Sequence, residues 1–429
     1  MLEQLTLCGV GPARQLGPVD FMPRMNLITG DNGLGKSFVL DVAWWALTRT
    51  WARGVPASPQ PKAKKSAIAF RYSKATGVHE ESISFSHADG IWPLKAARPP
   101  IPGVVIYAGV DGSFSAWDPA RNYWTEKEAA VTRTRAFNFT PDQVWHGLLA
   151  ENSPMGKPVW HCRGLVHDWV LWQRAKDPAF ADLVKVLDAL SPSGMEKLAP
   201  GEPMQVGEDV TEQPSLRMPY GQDVPLLHAS AGMRRIAALA YLLVWTWREH
   251  LRASERTRRK PAREVIFLVD EIECHLHPQW QRRIVPALLN VMQALTGRKV
   301  PVQLIVATHS PLVLASVEPQ FDEEVDGVFH LQLRDGQAVI EQEAWAKQGD
   351  VVNWLVSPAF GLQQARSIEA EEAIEAAEAW MRGDKARLPA HLNTQARIHK
   401  ALQKSLPGHD DFWPRWIVAS SKSNTGGSA

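Results

Sequence analysis

Apolar and polar positions in the N-terminal part of the chain follow the pattern of an α/β domain. A short apolar strand at residues 25–29 leads through a glycine-rich turn into a segment whose apolar side chains recur at helical spacing. That helical face consists of Val39, Leu40, Ala43, Trp44 and Leu47. Alternating patterns at residues 67–72 and 81–86 are typical of a hairpin, and residues 104–107 form a further apolar strand.

The same alternation of strands and helices returns in the second half of the chain. Apolar strands at residues 265–269 and 303–307 each follow a segment with helical periodicity. We therefore predict one α/β domain that is assembled from distant parts of the chain. Its two parts are residues 1–108 and residues 223–345.

The remaining stretches have a different pattern. Residues 109–222 begin with turns, aromatic and charged residues and continue with helical periodicity, so we predict an inserted, mainly helical lobe. Residues 346–429 are predicted to form a helical C-terminal extension, because acidic and apolar residues recur at helical spacing from Ala365 onward. Residues 420–429 are small and polar, and we expect this tail to be disordered.

Composition narrows the class of protein. The 429 residues are 45% hydrophobic, which allows a large core and roughly two or three domains. The 47 basic and 46 acidic residues leave a formal net charge of +1, so no overall field attracts the chain to nucleic acid or to a membrane. Three scattered cysteines, Cys8, Cys162 and Cys274, cannot form a disulfide framework. With no apolar run of about twenty residues and no signal segment, we expect a cytoplasmic protein that does not enter a membrane.

Residues 25–37, with the sequence MNLITGDNGLGKS, contain the G-x-x-x-x-G-K-S pattern of a phosphate-binding loop. In such a loop a glycine-rich turn exposes backbone N–H groups around a phosphate, and the following helix adds its N-terminal dipole. We expect Lys36 to neutralise the β and γ phosphates and Ser37 to hold a magnesium ion through its hydroxyl. The predicted nucleotide-binding residues of the loop are Gly30, Asp31, Asn32, Gly33, Leu34, Gly35, Lys36 and Ser37.

Two further strand ends carry polar residues. The continuously apolar strand at residues 265–269 ends in Asp270 and Glu271, as expected of a buried parallel strand that delivers carboxylates to its exposed end. We expect Asp270 to bind magnesium, directly or through water, and Glu271 to polarise a water molecule for attack on the γ-phosphate. His309 follows the strand at residues 303–307, and we expect this histidine to face the same crevice and contact the γ-phosphate.

Ser230, Ala231 and Gly232 form a turn of small residues before a long apolar helix, which we call the S-x-G turn. The serine hydroxyl, the backbone N–H groups and the helix dipole together form a second anion site. Taken alone, this pattern is a common helix N-cap. The order of the motifs along the chain, with the loop first and then the S-x-G turn, the acidic pair and the histidine, favours a functional role.

In this order of motifs the sequence resembles the ABC-type ATPase heads of the SMC, RecF and OLD branch, over residues 1–54 and 226–319. The resemblance implies the P-loop NTPase fold of an ABC-type ATPase head, with ATP and Mg²⁺ bound. It also implies that Ser230 and Gly232 reach across a dimer interface to the nucleotide on the partner's loop. Two copies would then form a homodimer around two ATP molecules, alone or within a higher oligomer of such dimers, and hydrolysis would loosen the pair.

Residues 271–278, with the sequence EIECHLHP, look like the segment that follows the acidic pair in OLD-like and related defence ATPases. The C-H-x-H spacing in this segment lacks the separated ligand pairs of a zinc site. The chain resembles the stand-alone ATPase subunits of bacterial anti-phage systems such as Septu or the retron-associated ATPases. That resemblance implies a separate effector protein, a nuclease or a toxin, as the partner.

The sequence leaves three points open. Members of the family usually carry a glutamine between the loop and the S-x-G turn that links magnesium to the helical lobe, and Gln143 and Gln173 are the candidates here. A run of basic residues after the long helix leaves DNA binding open; it comprises Arg256, Arg258, Arg259, Lys260 and Arg263. The alternatives to an effector-regulating ATPase are a DNA-binding repair or replication ATPase of RecF type and an ATP-bound structural scaffold with little hydrolysis.

Overall fold

The computed structural model describes residues 1–61, 63–74, 77–93, 102–122, 136–150, 158–192, 197–208 and 210–425. The strands are β1 (Leu2–Val10), β2 (Ala13–Asp20), β3 (Met25–Gly30), β4 (Ala67–Lys74), β5 (Gly77–Ser84), β6 (Val104–Ala108), β7 (Phe114–Trp117), β8 (Phe137–Phe139), β9 (Leu148–Ala150), β10 (Val159–Cys162), β11 (Ala199–Pro200), β12 (Ser215–Arg217), β13 (Asp223–Pro225), β14 (Val265–Val269), β15 (Val302–Ala307), β16 (Asp326–Arg334) and β17 (Gln337–Glu343). The α-helices are α1 (Lys36–Thr48), α2 (Pro141–His146), α3 (Gly164–Arg174), α4 (Pro178–Leu190), α5 (Ala231–Arg256), α6 (Pro278–Thr296), α7 (Pro311–Val317), α8 (Val351–Leu355), α9 (Ile368–Met381), α10 (Gln395–Ser405) and α11 (Phe412–Thr425).

The central sheet has eight strands in the order β17-β16-β3-β15-β14-β6-β7-β8. The five strands from β16 to β6 in this order run parallel, whereas β17, β7 and β8 pair antiparallel at the two edges. Every residue of β14 and β15 is buried, which explains their continuous apolar runs. Because the carboxyl ends of parallel strands meet at one edge, the residues that follow β3, β14 and β15 share that edge of the sheet.

A second, antiparallel sheet has the order β2-β1-β4-β5. Its β4–β5 pair confirms the hairpin predicted from residues 67–72 and 81–86. Helix α1 contacts strands of both sheets, and its Trp44, Trp45 and Leu47 side chains are at most 1% exposed. The core is therefore built around α1, which fixes the position of the glycine-rich turn at the start of that helix.

The structure of residues 109–222 differs from the predicted single inserted lobe, because part of this segment belongs to the central sheet. Strands β7 and β8 extend the central sheet beyond β6, so the start of the lobe predicted at residue 109 lies too early. These strands contain only 4 and 3 residues, too few for an alternating pattern to stand out from the turns around them. The later part of the segment contains α3 and α4 together with two small antiparallel sheets, and α4 packs against α5 and α6. Residues 123–135 lie outside the described part of this segment.

The chain divides into two compact units, Met1–Val351 and Val352–Ala429. The second unit contains helices α9, α10 and α11 and has a small core of its own. The core includes Ile374, Ile398, Leu402 and Trp416. The prediction that residues 420–429 are disordered is wrong for residues 420–425, because helix α11 continues to Thr425. Residues 426–429 are not among those described. Over the described ranges, no helix combines the length and the hydropathy that crossing a bilayer requires.

Candidate functional site

The glycine-rich turn connects β3 to α1. Gly30, Gly33 and Gly35 have φ angles of 130°, 80° and 101°, in the left-handed region that residues with side chains disfavour. A Cβ atom on Gly30 would lie 2.0 Å from the carbonyl oxygen of Leu331, whereas no atom of the described residues lies within 4 Å of a Cβ on Gly33. The turn therefore needs glycine for its shape, and at Gly33 it faces open space.

Lys36 begins α1, and the residue is only 6% exposed. Its Nζ donates hydrogen bonds to the carbonyl oxygens of Gly30, at 2.7 Å, and Asp31, at 2.8 Å. Burial lowers the pKa of Lys36, while the carboxylates of Glu271 and Asp270 act in the opposite direction. The ammonium group is thus held against the loop backbone, close to the acidic residues that follow β14.

Ser37 and Asp270 lie in direct contact. The Ser37 hydroxyl donates a hydrogen bond of 2.9 Å to Asp270 Oδ1, although the two residues are 233 positions apart. Asp270 is 1% exposed, and burial raises its pKa while the bond from Ser37 lowers it. Its second oxygen, Oδ2, has no hydrogen-bond partner among the described residues. A buried carboxylate oxygen without a partner is costly, so this atom marks a position for a cation or a donor.

Three further polar residues line the same region, and sequence reasoning assigned no role to any of them. Asp41 lies one helical turn after Ser37, and Arg53 donates a hydrogen bond to Asp41 Oδ2. Burial raises the pKa of Asp41, and it raises the pKa of Tyr107 well above the usual value, with the charges of Asp41 and Asp270 adding to the effect on Tyr107. The Tyr107 hydroxyl lies beside Asp41 and lowers the pKa of that carboxyl, but within the described ranges neither Asp41 Oδ1 nor the Tyr107 hydroxyl makes a well-formed hydrogen bond.

Arg235 on α5 connects three segments of the site. Its Nη2 donates to the carbonyl oxygens of Asp270 and Glu271, each at 3.1 Å, and its Nη1 donates to the carbonyl of Val110 at 3.0 Å. Glu271 has a φ angle of 46°, an unfavourable conformation for a residue with a side chain. The arginine therefore stabilises the backbone that orients Glu271, and it does so from the helix that begins at the S-x-G turn. No motif position indicates this role in the sequence.

Glu273 lies two residues beyond Glu271 and holds the loop that follows β15. Its carboxylate accepts hydrogen bonds from the Thr308 hydroxyl and from the backbone N–H of His309. His309 itself is half-buried, and burial lowers the pKa of its imidazole, with the positive charge of Lys36 acting in the same direction. The structure thus brings His309 to the edge predicted for it. Sequence reasoning assigned no role to Glu273, because neither its residue type nor its position distinguishes it from the other acidic residues of this segment.

The S-x-G turn lies at the start of α5, and its serine and glycine have different surroundings. Ser230 is exposed, and its Oγ accepts a hydrogen bond of 3.3 Å from the backbone N–H of Met233. Gly232 is buried, and a Cβ atom there would lie 2.6 Å from the carbonyl oxygen of His275. Gly232 therefore permits close contact with the segment after the acidic pair, while the Ser230 side chain lies at the surface.

The two candidate glutamines serve local structure. Gln143 Oε1 accepts a hydrogen bond from the backbone N–H of Thr140, forming a capping box at the start of α2. Gln173 donates to the carbonyl of Gly201 at 2.8 Å and accepts from the Trp169 indole at 3.2 Å. Neither side chain bonds to the loop, Ser37 or Asp270, so the structure does not support either as the expected magnesium-linking residue.

The run of basic residues, for which the sequence left DNA binding open, lies just before β14, at the amino end of that strand. Asp270 follows the carboxyl end of the same strand, so the run lies at the opposite edge of the central sheet. All five side chains are exposed: Arg256, Arg258, Arg259, Lys260 and Arg263. The basic surface is therefore separate from the edge that carries the glycine-rich turn.

Parts of this chain are similar in sequence to known proteins. Over 52 residues it is 48% identical to the Retron Vc95 probable ATPase of Vibrio cholerae serotype O1 biovar El Tor, covering 12% of this chain and 9% of that protein. Over 100 residues it is 36% identical to the Septu protein PtuA of Bacillus mycoides (strain KBAB4), covering 23% of this chain and 12% of that protein. The chain thus spans about a tenth of the length of these curated relatives.

Among solved structures, the SMC head domain from Thermotoga maritima aligns with a TM-score of 0.40 and 15% identity, over 80% of this chain and 99% of that chain. A family model matches residues 25–315, a range that includes the glycine-rich turn, the S-x-G turn, the acidic pair and His309. This range is more than half of the chain, and the predicted membership of the AAA family and resemblance to retron and Septu ATPases are confirmed. The chain belongs to the family described as "AAA domain, putative AbiEii toxin, Type IV TA system".

Proposed function

We propose that this protein binds ATP with magnesium at the carboxyl edge of the central sheet and hydrolyses the γ-phosphate. The observation that carries the proposal is the hydrogen bond of 2.9 Å between Ser37 Oγ and Asp270 Oδ1, beside the open turn at Gly33. It joins a hydroxyl at a helix N-terminus to a buried carboxylate, and a helix N-terminus attracts phosphate through its free N–H groups.

The residues present suit a hydrated magnesium ion. Ser37 Oγ and the Asp270 carboxylate would hold it, since magnesium prefers oxygen ligands. Asp270 Oδ2, which is buried and without a partner in the part of the chain that the structure describes, fits a nearby positive charge. The described residues contain no group of three or more His, Cys, Asp or Glu side chains placed to enclose a metal ion, so water and phosphate would supply the other ligands. When bound, the ion neutralises negative charge on the phosphate oxygens.

Three other side chains of the site bind the phosphates and activate the attacking water. Lys36 exchanges its two hydrogen bonds to loop carbonyls for phosphate oxygens, and the N–H groups of the turn donate to the same phosphates. The Glu271 carboxylate accepts a proton from the attacking water while the water oxygen bonds to the γ-phosphorus and the bond to ADP breaks. His309, neutral at pH 7, donates a hydrogen bond to a γ-phosphate oxygen.

The S-x-G turn supports closure of two copies around ATP. The Ser230 hydroxyl lies at the surface, at the N-terminus of a 26-residue helix, where an anion from outside the subunit can meet it. We infer that the loop of a second copy brings its nucleotide against Ser230 and Gly232, with the two-fold symmetry of an isologous homodimer.

The names of the relatives favour a setting in defence. They include a retron ATPase and a Septu protein, each similar over part of this chain. We infer that the protein acts in the cytoplasm as the ATPase of an anti-phage system, where closing and opening of the pair regulates a separate nuclease or toxin.

Phosphate release and ATP binding by three proteins test the proposed activity. We expect wild type and the exposed control Glu323→Gln to release phosphate equally. Glu271→Gln should be slower by about a hundredfold or more, because it lacks the proton acceptor, yet still bind ATP and form an ATP-dependent dimer. Equal release by wild type and Glu271→Gln would favour the ATP-bound scaffold, and a wild type that does not bind ATP would overturn the proposal.

A DNA-binding ATPase of RecF type is the second candidate, and the exposed basic run before β14 is the observation in its favour. This function predicts ATP-dependent retention of DNA that weakens steeply with salt and is lost when Arg258 and Arg259 are both changed to Gln. The effector-regulating function predicts no ATP-dependent retention by either protein and unchanged phosphate release in the double variant.

A further inference from the structure

The face of the central sheet toward α1 carries a second layer of polar groups behind the proposed magnesium ligands. Ser37 and Asp41 are four residues apart on α1, so their side chains lie on one face of the helix, one turn apart. Tyr107 of β6 pairs in register with Leu268 of β14, two residues before Asp270. Since side chains two apart on a strand point to the same side, Tyr107 and Asp270 share the face that α1 covers.

The packing agrees with this placement. Tyr107 belongs to the same buried cluster as the apolar side chains of α1, and its ring centroid lies 6.2 Å from that of Trp44. The Tyr107 hydroxyl also lies within electrostatic reach of both Asp41 and Asp270. Three side chains from separate elements, α1, β6 and the end of β14, therefore converge on one buried point.

These groups leave hydrogen bonds unmade. Asp41 Oδ1, Asp270 Oδ2 and the Tyr107 hydroxyl are all buried, and none makes a well-formed hydrogen bond within the described residues, although the Tyr107 hydroxyl lies beside Asp41 and interacts with its carboxylate. A phenol has one O–H to donate, which cannot satisfy two carboxylate oxygens. Arg53 holds the other oxygen of Asp41 and so fixes the direction in which Oδ1 points. Even with the Tyr107 O–H directed at Asp41, Asp270 Oδ2 has no donor among the described residues, so something bound between these groups would supply it.

We propose that Asp41 and Tyr107 are positioning residues that hold the water ligands of a divalent cation bound by Ser37 and Asp270. A cation's water ligands have O–H groups that point away from the ion, and Asp41 Oδ1 and the Tyr107 oxygen are acceptors for them. Gln143 and Gln173, the candidates for the magnesium-linking glutamine that the family resemblance implies, are engaged elsewhere. This inference rests on the proposed function.

The test measures cation affinity and not turnover. Full-length protein with ADP bound is titrated with Mn²⁺, and the electron paramagnetic resonance signal of free Mn²⁺ gives the affinity. The variants are Asp41→Asn and Tyr107→Phe, and the matched control is Asp335→Asn, at an exposed position in the turn between β16 and β17. ADP affinity is measured separately with EDTA present.

We expect Asp41→Asn to weaken Mn²⁺ binding by about ten- to a hundredfold, as is usual when a group that orients a metal's ligands is lost. Tyr107→Phe should weaken it less, and ADP affinity in EDTA should not change in any variant. Unchanged Mn²⁺ affinity in Tyr107→Phe and Asp41→Asn would overturn this inference but leave the proposed function standing. Should Asp41→Asn fail to fold, Tyr107→Phe decides alone, since it keeps the ring packed against Trp44. A wild type that binds neither ADP nor Mn²⁺ would overturn both proposals.

Discussion

The carboxylate of Glu273 accepts a hydrogen bond of 2.7 Å from the hydroxyl of Thr308, 35 positions further along the chain. Its other oxygen accepts from the backbone N–H of His309, so both oxygens hold the loop after β15. Glu273 thus connects the segment that carries the acidic pair to the segment that carries the histidine. The position of His309 depends on a residue that does not itself need to contact nucleotide.

Glu273→Ala should lower ATP turnover by about tenfold, because two hydrogen bonds to a charged group are lost and the His309 loop is released. ATP affinity should stay within about twofold of wild type, since the glycine-rich turn is untouched. Glu273→Gln should restore most of the turnover, because its amide can accept from His309 and donate to Thr308. Turnover rates and ATP dissociation constants of the three proteins check this. If Glu273→Gln hydrolyses ATP as slowly as Glu273→Ala, the turnover depends on the charge of Glu273 and not on its hydrogen bonds.

His309 should make the folded protein less stable in mild acid. Its pKa in the folded state is below the ordinary value of 6.5, because burial and Lys36 disfavour the charged imidazole. The unfolded state therefore binds the proton first as the pH falls below about 6.5, and the free energy of unfolding decreases until the pKa of the folded state is passed. Urea unfolding at pH 7.5, 6.5 and 5.5 should show a smaller decrease in His309→Asn than in wild type. The same decrease in both proteins would contradict the prediction.

Asp270→Asn should stabilise the nucleotide-free protein while removing its response to Mg²⁺ and ATP. Burial raises the pKa of Asp270, so the ionised carboxylate is unfavourable in the folded state at neutral pH. Asparagine keeps an oxygen for the Ser37 hydroxyl and carries no charge. We expect the Tm at pH 7.5 to rise by about 1–2 °C without nucleotide and not to rise further with Mg²⁺ and ATP. Thermal unfolding measures both, and a lower Tm than wild type would show that the carboxylate stabilises the fold.

A negative charge introduced at position 230 should prevent dimer formation without disturbing the N-cap of α5. Asp and Asn both accept a hydrogen bond from the N–H of Met233, so either variant keeps the N-cap of α5. In the Glu271→Gln background with ATP, we expect Ser230→Asp to be monomeric because its carboxylate repels the partner's phosphates, and Ser230→Asn to retain a dimer. Analytical ultracentrifugation distinguishes the two states. A dimer of Ser230→Asp as stable as that of Ser230→Asn would place this residue away from the interface.

The glycine-rich turn, the acidic pair and His309 could be predicted because each follows an apolar strand, and parallel strands bring their carboxyl ends together. The contacts of Arg235 and Glu273 could not. They join side chains to loops that are distant in sequence, and neither residue type is unusual at its position. Strands β7 and β8 were missed for another reason, since they are too short for periodicity to distinguish them from the turns on either side.

In the central sheet β3 lies between β15 and β16, which both follow it by more than 270 residues in the sequence. During synthesis the glycine-rich turn therefore leaves the ribosome with no neighbouring strand to pair with. Asp270 and His309 emerge only after most of the polypeptide has been made. A nascent or truncated chain that ends before residue 302 has the loop but lacks both strands that flank β3, so no part of the central sheet holds the turn in place until synthesis is nearly complete.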